Sequence, residues 1–246
     1  MPKYFLKSLI FYSMCSSIAC EPKAYWEGIW GSAVHTIDNM NQHFVFFSRY
    51  NPTIIEVGSF EGNGTIQLSK SYPYGTIFSF EPHPHSFEKL QEKTKNLKNV
   101  IPINLAVYNI NGEGRLCGNG CSATLFQKER KTDRDYTVSC VRLEDWCNEN
   151  KIDQIDFLRL DTNGLEFLIL SDSTQILQKT ISISVKTFSH PIYYPIARFS
   201  KIKSLLTNAG FEMMTHWYVI DKTKNLNQKK GEAFFVKKHL YDSIFR

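Results

Sequence analysis

The sequence predicts an α/β fold: an open, doubly wound, mostly parallel sheet with helices on both faces. Three observations predict it. From Thr53 onward, short β-branched or apolar runs alternate with stretches of helical period, the order produced by parallel strands joined through right-handed crossovers. One run, Ile155 to Leu160, is apolar at nearly every position, as a strand covered on both faces must be. Glycines and carboxylates come just after the strand ends, where an open sheet binds its ligands.

Thr53 to Val57 is a β-branched strand ending at Gly58, and Thr65 to Tyr72 reads as helix. Thr76 to Glu81 is a second strand, followed by Pro82 and a charged helix from Ser86 to Lys95. Asn99 to Val107 is a third strand, Asn111-Gly112 makes a turn, and a looser stretch precedes the strand Tyr136 to Leu143. After Ile155 to Leu160 come a helix from Gly164 to Gln178 and a strand from Thr180 to Thr187. A helix from Ala197 to Ala209 is closed by Gly210, placed as a left-handed cap. Phe211 to Ile220 and Glu232 to Lys237 are two last strands joined by a long polar loop.

Composition bounds the function. With 246 residues, 42% hydrophobic and 22% charged, the chain can bury one sizeable core and is not of disordered type. The net charge of +5 comes largely from Lys222, Lys224, Lys229, Lys230, Lys237 and Lys238 near the C-terminus. No nucleic-acid signature accompanies them, so they read as a solvated loop and edge, and no nucleic-acid partner is expected. Cys117 and Cys121 frame CGNGC, but no second pair follows at zinc spacing; no metal is expected. Cys140 falls in the β-like run YTVSCVRL, a common place for a buried free thiol.

Two segments precede the domain, which is assigned to residues 51–246. In residues 1–20, Lys3 and Lys7 lead into apolar Leu9 to Cys15 and then Ser17-Ile18-Ala19-Cys20, the basic, apolar, small-residue order of a secretory signal. The run is too short to span a bilayer. Residues 21–50 hold an amphipathic helix, with Trp26, Ile29, Trp30, Ala33, Val34 and Ile37 at helical spacing. The segment implies either peripheral contact with a membrane or export and lipid anchoring through Cys20.

Chemistry gathers at three strand ends. In the first, Glu56-Val57-Gly58-Ser59 through Gly62, a strand runs into a glycine-rich turn and a helix. Such a turn lets backbone approach a ligand, with Gly58 supplying the bend, Gly62 letting the helix start pack close, and Glu56 suited to an ammonium or hydroxyl. The glycines at 58, 62 and 64 do not match Gly-x-Gly-x-x-Gly, which counts against a nucleotide-linked oxidoreductase. In the second, Glu81-Pro82, a carboxylate ending the second strand can accept from both hydroxyls of a ribose. In the third, Asp161 leaves the buried strand either as a functional carboxylate or as a cap for Gly164 and Leu165.

In this order the motifs resemble the FkbM-type methyltransferases, within the Rossmann-like class that uses S-adenosylmethionine. The matching segments are EVGSFEGNGT, FSFEPHP, INLAVYNINGEG, FLRLDTNGLEFLIL, LLTNAGFE and GEAFFVKK. The resemblance implies seven strands with the last antiparallel, S-adenosylmethionine as co-substrate, and O-methylation of a sugar or other small-molecule or glycan hydroxyl. It implies donor contacts at Glu56, Gly58, Ser59, Gly62, Glu81, Pro82 and Ala106. Asp161, Gly164 and Glu166 match the family's acid, glycine and acid. The departures are Arg159 where the family has Lys, Asn163 where it has Glu, and Lys186 in a strand that usually carries Glu. An alcohol acceptor also needs a base, for which Asp161 and His190 are the candidates. The donor is made in the cytoplasm, so the expected site of action is cytoplasmic, with the N-terminal segment touching the membrane. Because the departures fall on the acceptor side, a catalytically impaired interaction or membrane-attached protein of the same fold is the alternative reading.

Overall fold

The computed structural model describes residues 51–118, 123–125, 135–188, 197–220 and 229–245. The expectations for residues 1–50, Cys20, Cys121, His190, Lys222 and Lys224 lie outside the described residues. Among those described, no helix is long and apolar enough to cross a membrane.

Seven strands form the main sheet: β1 (Thr53–Val57), β2 (Thr76–Phe80), β3 (Val100–Ile103), β7 (Ile155–Leu160), β8 (Thr180–Phe188), β9 (Phe211–Ile220) and β10 (Lys229–Lys237). Their spatial order is β3-β2-β1-β7-β8-β10-β9. The first five run parallel, while β10 inserts antiparallel between β8 and β9. This is the predicted doubly wound sheet with its last strand reversed. Chain order turns around between β1 and β7, which opens the crevice that such folds use for ligands.

Alternating side chains build a core on each face. Ile54, Ile77, Phe157 and Phe234 point to one side, under Leu68 and Tyr72 of the first helix region, α1 (Asn63–Ser71). Ile55, Leu158, Ile183 and Phe235 point to the other. That second face is covered by α3 (Leu143–Glu149), α4 (Glu166–Ser171), α5 (Thr174–Lys179) and α6 (Phe199–Asn208). Every residue of β7 is buried, so even its Asp156 needs partners: it accepts from the Thr53 backbone N–H at 2.9 Å and from Gln154 at 2.9 Å.

Five features depart from the sequence reading. The third strand breaks at Asn104-Leu105, because the Asn104 amide donates to the Glu81 carbonyl at 2.8 Å and turns the chain. Beyond the break, β4 (Ala106–Tyr108) leaves the main sheet and pairs with β6 (Tyr136–Arg142). The stretch read as loose contains β5 (Gly112–Leu116), antiparallel to β6, which completes a separate three-stranded sheet. Helix α3 comes directly after β6, and its Trp146 ring meets Phe78 and Phe80 edge-on at 5.1 and 4.9 Å, pinning the small sheet's crossover to β2. The single helix expected over Gly164–Gln178 is two, parted where the Ser173 hydroxyl donates to the Ile169 carbonyl at 2.7 Å and closes the first. A further helix, α7 (Lys238–Phe245), ends the described chain. The expected closure of α6 holds: Gly210 has φ +81° and donates to the Thr207 carbonyl.

The sheet order makes a stability contrast. Leu158→Ala, in the middle strand, should cost about 2–5 kcal/mol, whereas Ile101→Ala on the half-exposed edge strand β3 should stay within about 0.5 kcal/mol. Urea unfolding midpoints of the two variants check this.

Candidate active site

The strand ends are level, and this builds the site. Val57 is in register with Phe80 on one side and Leu160 on the other, and Leu160 with Val185. The residues that come next, Gly58, Glu81, Asp161 and Lys186, therefore emerge side by side. All four line one cavity of about 170 Å³, together with Phe60, Pro82, Ala106, Asn163 and Leu165. A larger cavity, about 230 Å³, lies on the three-stranded sheet between Tyr108, Arg115 and Tyr136. The smaller one is the candidate active site, because it sits at the strand-end crevice where the carboxylates converge.

Gly58 is fixed by its neighbours. Its φ is +87°, and a Cβ there would fall 2.1 Å from the Asp161 carbonyl oxygen. Its N–H and that of Ser59 both donate to the Phe80 carbonyl, at 2.9 and 3.0 Å, while the Asp161 N–H donates to the Val57 carbonyl at 2.9 Å. The turn thus staples three strand ends. Phe60, with φ +51°, bends the chain back over the cavity.

Glu81 is nearly buried, and its two carboxylate oxygens accept from the backbone N–H groups of Phe60 at 2.7 Å and His83 at 2.9 Å. A carboxylate has about four lone-pair sites, so two remain for a ligand. Burial pushes its pKa up to about 7, against the lowering pull of those two hydrogen bonds. Glu166, also buried, accepts from the Thr162 N–H at 2.9 Å and is likewise raised by burial to about 7.

The structure redirects several residues read from the sequence. Glu56 does not line the cavity: it is fully buried, accepting from Arg159 Nη1 at 2.7 Å and from the Thr65 hydroxyl at 2.5 Å. A guanidinium of the chain itself fills the place reserved for an ammonium. Ser59 is buried, with its hydroxyl 3.4 Å from the Glu56 carbonyl. Gly62 serves packing between helices, since a Cβ there would lie 2.6 Å from the Leu90 side chain of α2 (Pro84–Thr94). Asp161 is not a helix cap: α4 starts at Glu166, with Leu165 before it and no side chain capping it.

Asp161 instead enters a charge network that the sequence did not disclose. Lys186 Nζ donates to Asp161 Oδ1 and, at 3.1 Å, to Asn163 Oδ1; the Asn163 amide donates to the Ala123 carbonyl at 3.0 Å. Asn163 takes φ +55°, a conformation asparagine tolerates better than most residues. Behind them Arg159 reaches Glu56, and lies 3.9 Å from Asp161 and 3.6 Å from Glu232. Burial alone would lower the Arg159 pKa, but Glu232, Glu56 and Asp161 outweigh it and hold the guanidinium above its ordinary value. Glu232 sits on β10, directly across from Lys186, and accepts from the Ser184 hydroxyl at 2.5 Å.

This is a Rossmann-like α/β fold with a strand-end acid and glycine turn, the architecture of methyltransferases. The model of the methyltransferase FkbM domain matches residues 56–213, and the chain belongs to that family. A 2-O-methyltransferase, NoeI of Sinorhizobium fredii, is 22% identical over 160 residues, which make up 58% of this chain and 66% of that protein's length. A solved structure described as an rRNA methylase from Clostridium thermocellum has the same fold, with TM-score 0.50, 12% identity, and 84% of this chain and 99% of that one covered. Aeropyrum pernix fibrillarin with S-adenosyl-L-methionine natively bound superposes at TM-score 0.46, with 12% identity over 77% of this chain and 68% of that one.

Both buried acids bind protons more tightly in the folded chain than in the unfolded one. Their contribution is therefore most favourable below about pH 4.5 and is lost as pH rises towards 7. Glu166→Gln can still accept from Thr162 but cannot ionise. It should shrink the loss of stability between pH 5 and pH 8, measured by urea unfolding of the ligand-free protein at both values.

Proposed function

We propose that the chain transfers the methyl group of S-adenosylmethionine to a hydroxyl oxygen of a sugar or other small metabolite. The observation that carries this is Glu81, held rigid by two backbone N–H groups at the mouth of a strand-end cavity with acceptor capacity left over. A ribose offers two adjacent hydroxyl donors that suit it. Membership of the FkbM family supports the reading, and the 2-O-methyltransferase relative supports a hydroxyl acceptor.

In this reading the donor's ribose rests on Glu81, its adenine lies against Pro82, Ala106 and Val107, and its methionine part passes Gly58. The donor brings an activated methyl, so the chain's task is alignment and exclusion of water. Asp161 and Lys186 mark the acceptor end of the same cavity. His190, the other base read from the sequence, keeps that role as a proposal outside the described residues.

Calorimetric titration with S-adenosylhomocysteine tests the donor site; the titration should saturate at one site, and NAD should not bind. An absence of binding by either S-adenosyl ligand would overturn the proposal. Glu81→Ala should weaken binding by about 1–3 kcal/mol, the cost of unpaired hydroxyls.

Ribose hydroxyls donate to the ionised acid. Affinity for S-adenosylhomocysteine should accordingly fall as pH drops below about 7, and Glu81→Gln should flatten that profile.

A further inference from the structure

The larger cavity, about 230 Å³, is not used by the function proposed above. Its wall has an apolar side and a polar side. Among the described residues four large apolar side chains are exposed, and two of them, Ile110 at 43% and Tyr136 at 36%, stand at this cavity. Exposed apolar groups gathered at a concavity mark a binding site, whereas scattered ones need no explanation. The Tyr136 ring is held in place, since it meets the buried His83 ring edge-on at 4.6 Å. On the polar side, Glu113 and Arg115 are two apart on β5 and share a face, and Thr137 lies in register across from Arg115. Arg115 is ion-paired at 3.8 Å with Asp135, whose side chain is 2% exposed.

We propose that this cavity binds one sugar ring of a glycan acceptor, the neighbour of the ring that is methylated. This rests on the sugar-acceptor reading above. A pyranose has an apolar C–H face, which suits Tyr136 and Ile110. It also has a rim of hydroxyls that each donate and accept, which suits a carboxylate and a guanidinium side by side. Charge narrows the class. Glu113 and Asp135 against Arg115 leave the wall acidic, so a phosphate or a uronate is repelled and a neutral ring fits. The volume is smaller than that of pockets enclosing drug-sized ligands, which is room for one ring rather than two.

The two cavities are one side chain apart, because Leu125 lines both. The short segment before it is tied at two points. Thr124 exchanges backbone hydrogen bonds with Cys117, and the Ala123 carbonyl accepts from the Asn163 amide at 3.0 Å. The segment thus begins beside Asn163, at the Asp161 and Lys186 end of the candidate active site, and finishes in the wall of the second cavity. Gly114 keeps this partition thin: a Cβ there would lie 3.1 Å from the Leu125 side chain and 2.5 Å from Cys140 Sγ. A glycan lying across Leu125 presents one ring to the proposed acceptor end and rests the next on Tyr136.

Backbone amide shifts of the full chain, followed by NMR with and without S-adenosylhomocysteine, test this. The probes are the methyl pyranosides of glucose, galactose, mannose, fucose and N-acetylglucosamine, with methyl glucuronide as the charged comparison. At least one neutral glycoside should move the amides of Glu113 to Leu116 and of Tyr136 to Val138, and the glucuronide should move them less. Ile110→Asp, at a surface bend, should weaken that binding by about fivefold or more, and Tyr136→Ala should act in the same direction. Three results each overturn the proposal: no shifts with any glycoside, shifts confined to Asp161 to Gly164 and Lys186, or a glucuronide that binds as tightly as the neutral sugars. A folded Ile110→Asp with unchanged sugar affinity does so too. If S-adenosylhomocysteine fails to bind while a neutral glycoside still moves the β5 and β6 amides, it is the donor reading that fails and the sugar site that stands.

Discussion

The buried pair between Glu56 and Arg159 is the interaction around which the rest of the site is arranged. A fully buried carboxylate and a nearly buried guanidinium are costly to take out of water and persist only with close partners. Arg159 meets this requirement by touching three strands' worth of acid: Glu56 on β1, Asp161 after β7 and Glu232 on β10. Removing one partner would leave a charge stranded in the sheet. The pair therefore fixes the relative heights of β1, β7 and β10, and with them the positions of Gly58, Asp161 and the strand facing Lys186.

This arrangement divides the cavity into two halves of different character. The half proposed for the donor is made of backbone: the Gly58 turn, the N–H groups of Phe60 and His83, and the acid they hold. Little in it can move, because two strand ends meet at a contact too close for any side chain at position 58. The half proposed for the acceptor is made of side chains, Asp161 and Asn163 after β7 and Lys186 on β8, joined by hydrogen bonds that a single substitution can rewire. On the proposed function, a rigid half would take the donor and an adaptable half the acceptor, a sensible distribution of stiffness for a transferase.

Much of this was legible in the sequence, and the boundary of what was legible is physical. The strands β1, β2 and β7 and the placement of Glu81 and Gly58 follow from local patterns: hydrophobic runs, a glycine turn, an acid before proline. The break at Asn104 and the split of α4 from α5 depend on single side-chain hydrogen bonds to distant or shortly preceding carbonyls, and the small sheet on pairing between distant segments, none of which periodicity encodes. Glu56 shows the limit most plainly. As a strand-end acid beside a glycine turn it reads as a ligand contact, yet its partner is Arg159, far along the chain. Lys186 and Glu232 meet only through strand register, so the substitution was visible as a departure while its meaning was not.

The antiparallel insertion of β10 between β8 and β9 carries a consequence for biosynthesis. Arg159 is made long before Glu232, and β9 has no neighbour in the sheet until β10 arrives beside it. While β10 is still in the ribosomal tunnel, the emerging chain holds an open sheet edge at β8 and an unbalanced guanidinium near its centre. Such edges invite pairing with other chains. The sheet can close only after β10 has emerged, so a truncation within β10 would yield an aggregation-prone chain rather than a smaller working domain.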